Sequence, residues 1–67
     1  MKEGSLHKTK IERWSVDDEL EITSGDVIEV CVDGRWIQTR VEHDGEEYYS
    51  VVPGIQFYEG MKVRVMA

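Results

Sequence analysis

The sequence predicts an all-β fold of short strands joined by tight turns. Two Asp-Gly pairs, Asp33-Gly34 and Asp44-Gly45, interrupt a stretch rich in β-branched and aromatic residues. Asp-Gly between apolar-rich runs is a strong hairpin signal, because tight hairpin turns need a positive φ, which glycine adopts without steric cost. Clean alternation of apolar and basic residues over 61–66 predicts a further strand near the end of the chain.

Residues 1–3 are polar and are expected to be frayed. Residues 4–7 and 11–16 predict a first hairpin with its loop at 8–10, and weak alternation in its second half indicates a bulge or an irregular turn. Leu20 and Ile22 alternate within ELEIT, which predicts a short strand or an extended arm there.

Residues 24–52 are predicted to form a three-stranded meander, with strands at 27–32, 35–42 and 46–52. A two-residue loop at Asp33-Gly34 and a three-residue loop at 43–45 set the register, so that Arg40 faces Tyr48 and Glu42 faces Glu46. Alternation then assigns one face to the core, and its members are Ile28, Val30, Val32, Ile37, Thr39, Val41, Tyr49 and Val51.

Pro53-Gly54 predicts a turn after the meander, and residues 55–58 predict a single 3₁₀ turn. In the final strand Met61, Val63 and Val65 are expected to face inward. The order of these elements is that of a small SH3-like barrel of five to six short strands, with a 3₁₀ turn before the last strand. An OB-fold is the alternative, although it usually needs a longer chain and a helix.

The composition limits the function. The chain has 67 residues, so we expect a single domain over residues 1–67 that is too small for a catalytic cleft with its own supporting shell. The net charge of −6 argues against nonspecific binding to nucleic acid. A single cysteine, Cys31, excludes an intramolecular disulfide, and no apolar run is long enough for a signal peptide or a membrane span. We therefore expect a cytoplasmic protein.

The run SGDVIEVCVDGRWIQTRVEHDG, followed by YY, PGI and EGMKVRV, resembles a family of small SH3-like bacterial proteins catalogued only as a domain of unknown function. Members often occur in Gram-positive genomes and in prophages or other mobile elements. The resemblance covers roughly residues 4–65, and its most specific pieces are DGRWIQTRVEHDG and GMKVRV. It implies the barrel fold and no activity, because the family has no assigned catalytic or binding residues. The Glu46-Glu47 pair departs from the family pattern.

The face of the meander opposite the core is the first candidate for a binding surface. It combines aromatic, basic and apolar side chains, the usual anchors of protein interfaces, and the candidate residues are Trp36, Gln38, Arg40, Tyr48 and Val52. The alternative is local packing, with Trp36 covering Cys31 and Arg40 stacked on Tyr48. Neither Cys31 nor the two histidines show ligand or catalytic spacing, so no metal, cofactor or enzymatic activity is expected.

A second candidate is an acidic surface around the second hairpin turn, formed by Glu42, Asp44, Glu46 and Glu47. These carboxylates would imitate the phosphate array of a nucleic acid and occupy a nucleic-acid-binding cleft. The alternative is that they form a solvated turn without a function. A third is the basic N-terminal hairpin beside Trp14, which would bind single strands weakly. We predict a non-enzymatic protein-interaction module, an accessory protein of a mobile element. The alternatives are an acidic nucleic-acid mimic and a weak single-stranded nucleic-acid binder.

Overall fold

The computed structural model describes residues 2–65, which form seven strands with no helix within that range. All the strand pairs are antiparallel, and the single sheet has the order β3-β2-β1-β7-β4-β5-β6. It curls into a half-barrel. The strands are β1 (Lys2–Lys8), β2 (Trp14–Val16), β3 (Leu20–Glu21), β4 (Val27–Val32), β5 (Arg35–His43), β6 (Tyr48–Ser50) and β7 (Lys62–Val65).

The last strand occupies the middle of the sheet. β7 pairs with β1 on one side and with β4 on the other, so it joins the N-terminal strands to the meander. The predicted inward side chains Met61, Val63 and Val65 are buried, which confirms the prediction for the described part of this strand. Met66, which was included in the predicted strand, lies outside the described residues.

The first turn of the meander forms as predicted. Asp33 and Gly34 have φ values of 51° and 77°, and the pairing of Val32 with Arg35 leaves a two-residue loop. Positive φ at both central residues is the requirement of a type I′ turn, whose twist matches that of the flanking strands.

The second turn differs from the prediction and changes the register. Glu42 pairs with Tyr49 instead of Glu46, so the loop contains four residues, 44–47, instead of three. The cause is local, because the Asp44 carboxylate accepts hydrogen bonds from the amides of Glu46 and Glu47 and holds them in the turn. The offset of three residues is odd, so it reverses the face to which every side chain of this strand points.

Three predicted placements on this strand are therefore wrong. Tyr49 and Val51 were assigned to the core, but they are 41% and 40% exposed, whereas Ser50 is buried. Tyr48 packs against the core instead of lying on the outer face. The remaining assignments hold for β4 and β5, where Ile28, Val30, Thr39 and Val41 are buried and Val32 and Ile37 are half-buried against the core.

The N-terminal hairpin is longer than predicted. Lys2 and Glu3 belong to β1 and pair with Val65 and Arg64, while Met1 lies outside the described residues. The loop between β1 and β2 runs over residues 9–13 and is closed by the Thr9 amide donating to the Arg13 carbonyl at 2.7 Å. This loop is the irregular turn that the weak alternation indicated.

The segment between β6 and β7 contains no 3₁₀ turn. The Ile55 amide donates to the Val52 carbonyl across Pro53 and Gly54, and Gly54 has a φ of 86°, as in a type II turn. Residues 55–58 then run without regular structure. Ile55 and Phe57 are half-buried against the core, whereas Gln56 and Tyr58 are exposed. The 3₁₀ prediction is wrong because an alternating segment buries these two side chains together.

The core is continuous across the half-barrel. Every strand except the short β3 and β6 contributes at least one of its ten buried apolar residues, which are Leu6, Trp14, Val16, Ile22, Ile28, Val30, Val41, Met61, Val63 and Val65. Ile22 and Met61 belong to it from positions just outside strands.

Candidate functional site

The predicted binding residues lie on two different sides of the sheet. Trp36 pairs with Cys31 across β4 and β5, and it shares the outer face with Gln38 and Arg40 by alternation. Tyr48 faces the opposite way and pairs with His43, whose ring lies edge-on at 4.5 Å between centroids. The predicted stacking of Arg40 on Tyr48 is therefore wrong, and the five residues do not form one patch.

The outer-face tryptophan is occupied by a contact within the chain. The Arg64 guanidinium lies over the Trp36 ring, 3.8 Å from its centroid. Arg64 is itself held by Glu3, with Nε 2.9 Å from a carboxylate oxygen, and Glu29 lies 3.8 Å from its Nη1. This arrangement supports the local-packing interpretation of Trp36, since one face of the ring is already covered by a fixed cation.

The four predicted acidic residues have separate roles. Glu42 forms an ion pair with Arg40, whose Nε lies 2.8 Å from Oε2, so the charge of this carboxylate is balanced. The amides of Glu47 and Glu46 hold the pKa of the Asp44 carboxyl below its ordinary value, so Asp44 is a charged part of the turn. Glu46 and Glu47 are exposed and form no ion pair with any described residue. The mimicry hypothesis stays a prediction, with fewer free carboxylates than the sequence indicated.

The cations of the N-terminal hairpin are largely paired as well. Lys2 lies 2.8 Å from Glu19, which raises the pKa of the lysine, and Arg13 lies 3.0 Å from Glu21. His7 pairs with Glu59, whose pKa is lowered first by the Lys8 amide and then by this histidine. Lys8 and Lys10 are the hairpin lysines without a carboxylate partner among residues 2–65. Single-strand binding by this hairpin stays a prediction.

A groove of about 460 Å³ lies between the first hairpin and β6 with the segment that follows it. Four aromatic residues from distant parts of the chain line it, and these are Trp14, Tyr48, Tyr49 and Phe57. Trp14 and Phe57 pack edge to face with centroids 6.2 Å apart, which fixes the floor of the groove. Val52, Pro53 and Ile55 add apolar surface to the same wall.

Sequence reasoning found part of this groove and placed it wrongly. Tyr48 and Val52 were predicted as binding residues, and both line the groove, although with other neighbours than expected. Trp14 was noted only as a partner of the basic hairpin, and Phe57 was placed in a helical turn. Alternation of apolar and polar residues in Ile55-Gln56-Phe57 was the sequence signal that would have placed Phe57 on the same wall as Ile55.

The charged groups at the groove are few. Glu12 and Glu47 line it without an ion-pair partner among the described residues. The Lys8 ammonium also lines it and lies 5.5 Å from the centroid of the Trp14 ring. Arg13 is not a lining residue, but its guanidinium lies 5.2 Å from the centroid of the Tyr48 ring and so connects the first hairpin to β6.

Within residues 2–65 no group of three or more histidine, cysteine, aspartate or glutamate side chains is arranged to hold a metal ion. That part of the chain also has no helix long and apolar enough to cross a membrane.

Comparison with known families identifies the family of this chain. The family model described as Domain of unknown function (DUF5348) matches residues 4–65. The chain belongs to this family. The match covers β1 from Gly4 onward, the other six strands in full and every residue that lines the groove, so the groove lies entirely within the family domain. No curated protein and no solved structure shows significant similarity to the chain.

Proposed function

We propose that this domain is a non-enzymatic protein-interaction module that binds an extended segment of another protein in the groove. The observation that carries the proposal is the aromatic lining of the groove at the open end of the sheet. Aromatic side chains dominate the binding energy of protein interfaces, because they bury a large area at a small cost in side-chain entropy. A groove of this volume suits a few side chains of a peptide.

The groove supports this proposal better than the outer face does. Tyr49 is 41% exposed and Tyr48, Val52 and Phe57 are half-buried, so apolar area remains open to a ligand there. On the outer face Trp36 is already stacked under Arg64. One face of the Trp36 ring is therefore closed to a partner by a cation that lies close to two carboxylates.

The chemistry of the groove favours binding over catalysis. Neither histidine nor cysteine is among its lining residues. Its one serine, Ser50, is buried and has its hydroxyl 2.7 Å from that of Thr39, and no basic side chain among residues 2–65 forms a hydrogen bond with it. Activation of a hydroxyl nucleophile needs such a base within hydrogen-bond reach.

The proposal extends to the finer fold and to the biological setting. The order of a first hairpin, a three-stranded meander and a strand that returns to pair with both supports an SH3-like arrangement. The resemblance in DGRWIQTRVEHDG and GMKVRV supports a bacterial, mobile-element protein, and the single cysteine suits a reducing cytoplasm.

Selection of a displayed random-peptide library on the purified domain tests this function. Peptides selected on the native protein should lose about tenfold or more in affinity for Tyr49→Ser, since a central aromatic contact contributes about 1.4 kcal/mol or more. Tyr58→Ser is the matched control, because Tyr58 is 56% exposed and lies outside the groove. Failure to select any peptide, or equal losses for both variants, would overturn the proposal.

A further inference from the structure

We propose that the groove takes its ligand as an added β-strand along the free edge of β6, and that this strand is cationic. The inference rests on the proposed function and specifies its binding mode and the chemistry of the partner. Three features of the described residues carry it: the unpaired edge of β6, the course of the groove along that edge, and the charge of the groove.

The free edge follows from the hydrogen bonds between β5 and β6. The Val51 amide donates to the Arg40 carbonyl, and the Asp44 amide donates to the Glu47 carbonyl. In an antiparallel pair such bonded positions alternate with non-bonded ones, so Tyr49 bonds towards β5 as well. The N–H and C=O groups of Tyr48 and Ser50 must then point away from β5. Since β6 is the last strand of the sheet, they point outward from its edge.

The groove runs along this edge and not over one face of the strand. Tyr48, Tyr49 and Ser50 all line it, although successive side chains of a strand point to opposite faces. A cavity can touch all three only where it passes the side of the strand. A ligand in the groove therefore lies beside the outward backbone groups, in the position that the next strand of a sheet would occupy.

The length of the added strand is limited at both ends of β6. Before Tyr48 the chain turns at 44–47, where the Glu47 carbonyl is already bonded. After Val52 the chain turns again at Pro53, which has no N–H to donate. Tyr48 and Ser50 together offer two donors and two acceptors, which is enough for a short segment held by backbone bonds and by the aromatic walls.

Charge decides between the occupants that an open edge admits. Glu12 and Glu47 line the groove without ion-pair partners among the described residues, against one lining cation, Lys8, so the groove keeps an excess negative charge. The chain as a whole has a net charge of −6. A second copy would bring another −6 to the same place, which opposes self-pairing. Acidic residues at an edge protect it from such pairing, and here they also favour a strand that carries lysine or arginine.

A synthetic seven-residue peptide of alternating lysine and valine, capped at both ends, is the probe. On titration it should shift the NMR resonances of the groove residues and slow hydrogen exchange at the Tyr48 and Ser50 amides. The same peptide with glutamate in place of lysine should bind at least tenfold more weakly. Glu12→Gln with Glu47→Gln should weaken binding of the lysine peptide by about three- to tenfold. Glu46→Gln is the matched control, because Glu46 is exposed beside Glu47 but does not line the groove.

Backbone methylation tests the strand geometry. One peptide carries N-methyl groups on its valines and the other on its lysines, so each blocks the donors of one edge only. Strand addition predicts that one of them loses at least tenfold in affinity and the other binds like the parent.

Equal affinity of both methylated peptides with the parent would overturn strand addition, yet binding in the groove, and with it the proposed function, would stand. Equal binding of the lysine and glutamate peptides would overturn the cationic preference. Absence of binding by the lysine peptide would overturn the whole inference, while the library selection judges the proposed function separately. A concentration-dependent dimer in sedimentation, blocked by Ser50→Pro, would identify a second copy as the occupant and would equally overturn it.

Discussion

The buried hydroxyl pair of Thr39 and Ser50 provides a direct test of the register that creates the groove. Their oxygens lie 2.7 Å apart, and the two residues are 4% and 7% exposed. Thr39→Val keeps the shape and the β-branching and removes only the hydroxyl. The Ser50 oxygen then keeps one further contact, an amide hydrogen bond from Val52 at 3.3 Å, so it is not wholly unsatisfied.

The free energy of unfolding should fall by about 1–2 kcal/mol, because a buried hydrogen bond is removed while the Ser50 oxygen keeps only the weak hydrogen bond from the Val52 amide. In a domain of this size each kcal/mol lowers Tm by about 4–8 °C. The double variant Thr39→Val with Ser50→Ala should lose about the same free energy of unfolding as Thr39→Val alone. The coupling energy then equals the loss caused by Ser50→Ala alone, about 1 kcal/mol. Urea unfolding of the four proteins measures the cycle, provided that the m-value stays constant.

Strict additivity of the two substitutions would refute the register. In the alternative with a three-residue loop, Thr39 would face Tyr49, and Ser50 would lie on the outer face with no bond to Thr39. Ser24→Ala is the control for the loss of a serine hydroxyl, since Ser24 is exposed in a turn and its substitution should not couple to Thr39→Val.

Three further predictions concern β1, the second hairpin turn and the outer face. Gly4→Ala places a methyl group against the Asp17 carboxylate and should destabilise the fold by about 1–3 kcal/mol in urea, with a smaller loss in an Asp17→Gly background. Because the pKa of Asp44 is lowered on folding, its carboxylate stabilises the native state above its ordinary pKa of 3.8. The Tm difference between the native protein and Asp44→Asn should therefore shrink as pH falls below that value. Trp36→Ala should cost about 1 kcal/mol or more through the lost Arg64 contact, while peptide affinity in the groove stays unchanged.

The comparison of the two Asp-Gly turns explains where sequence reasoning succeeds. At Asp33-Gly34 two positive φ values close the turn, and the dipeptide alone determines the loop length. At Asp44-Gly45 the aspartate side chain also binds two following amides and draws them into the loop. Local patterns do not distinguish these two uses of the same dipeptide, so the core face was predicted correctly for two strands and wrongly for the third.

The groove was less predictable than the sheet, because its walls are far apart in sequence. Trp14, Tyr48 and Phe57 meet only when the sheet curls, and no periodicity within one segment indicates that contact. The face of the strand on which Trp14 lies depended on how many residues the preceding loop contains. Alternation placed Met61, Val63 and Val65 correctly, since their burial depends on one strand alone.

The central position of β7 has a consequence for how the chain is made. Until residues 62–65 have left the ribosome, β1 and β4 each lack the strand that fills the space between them. The nascent protein is then two small sheets with bare edges, which are prone to pair with other chains. Pairing of Lys2 with Val65 also links residues nearly a whole chain apart, and such distant contacts slow folding. The domain is therefore most prone to aggregation in the interval before β7 pairs with β1 and β4.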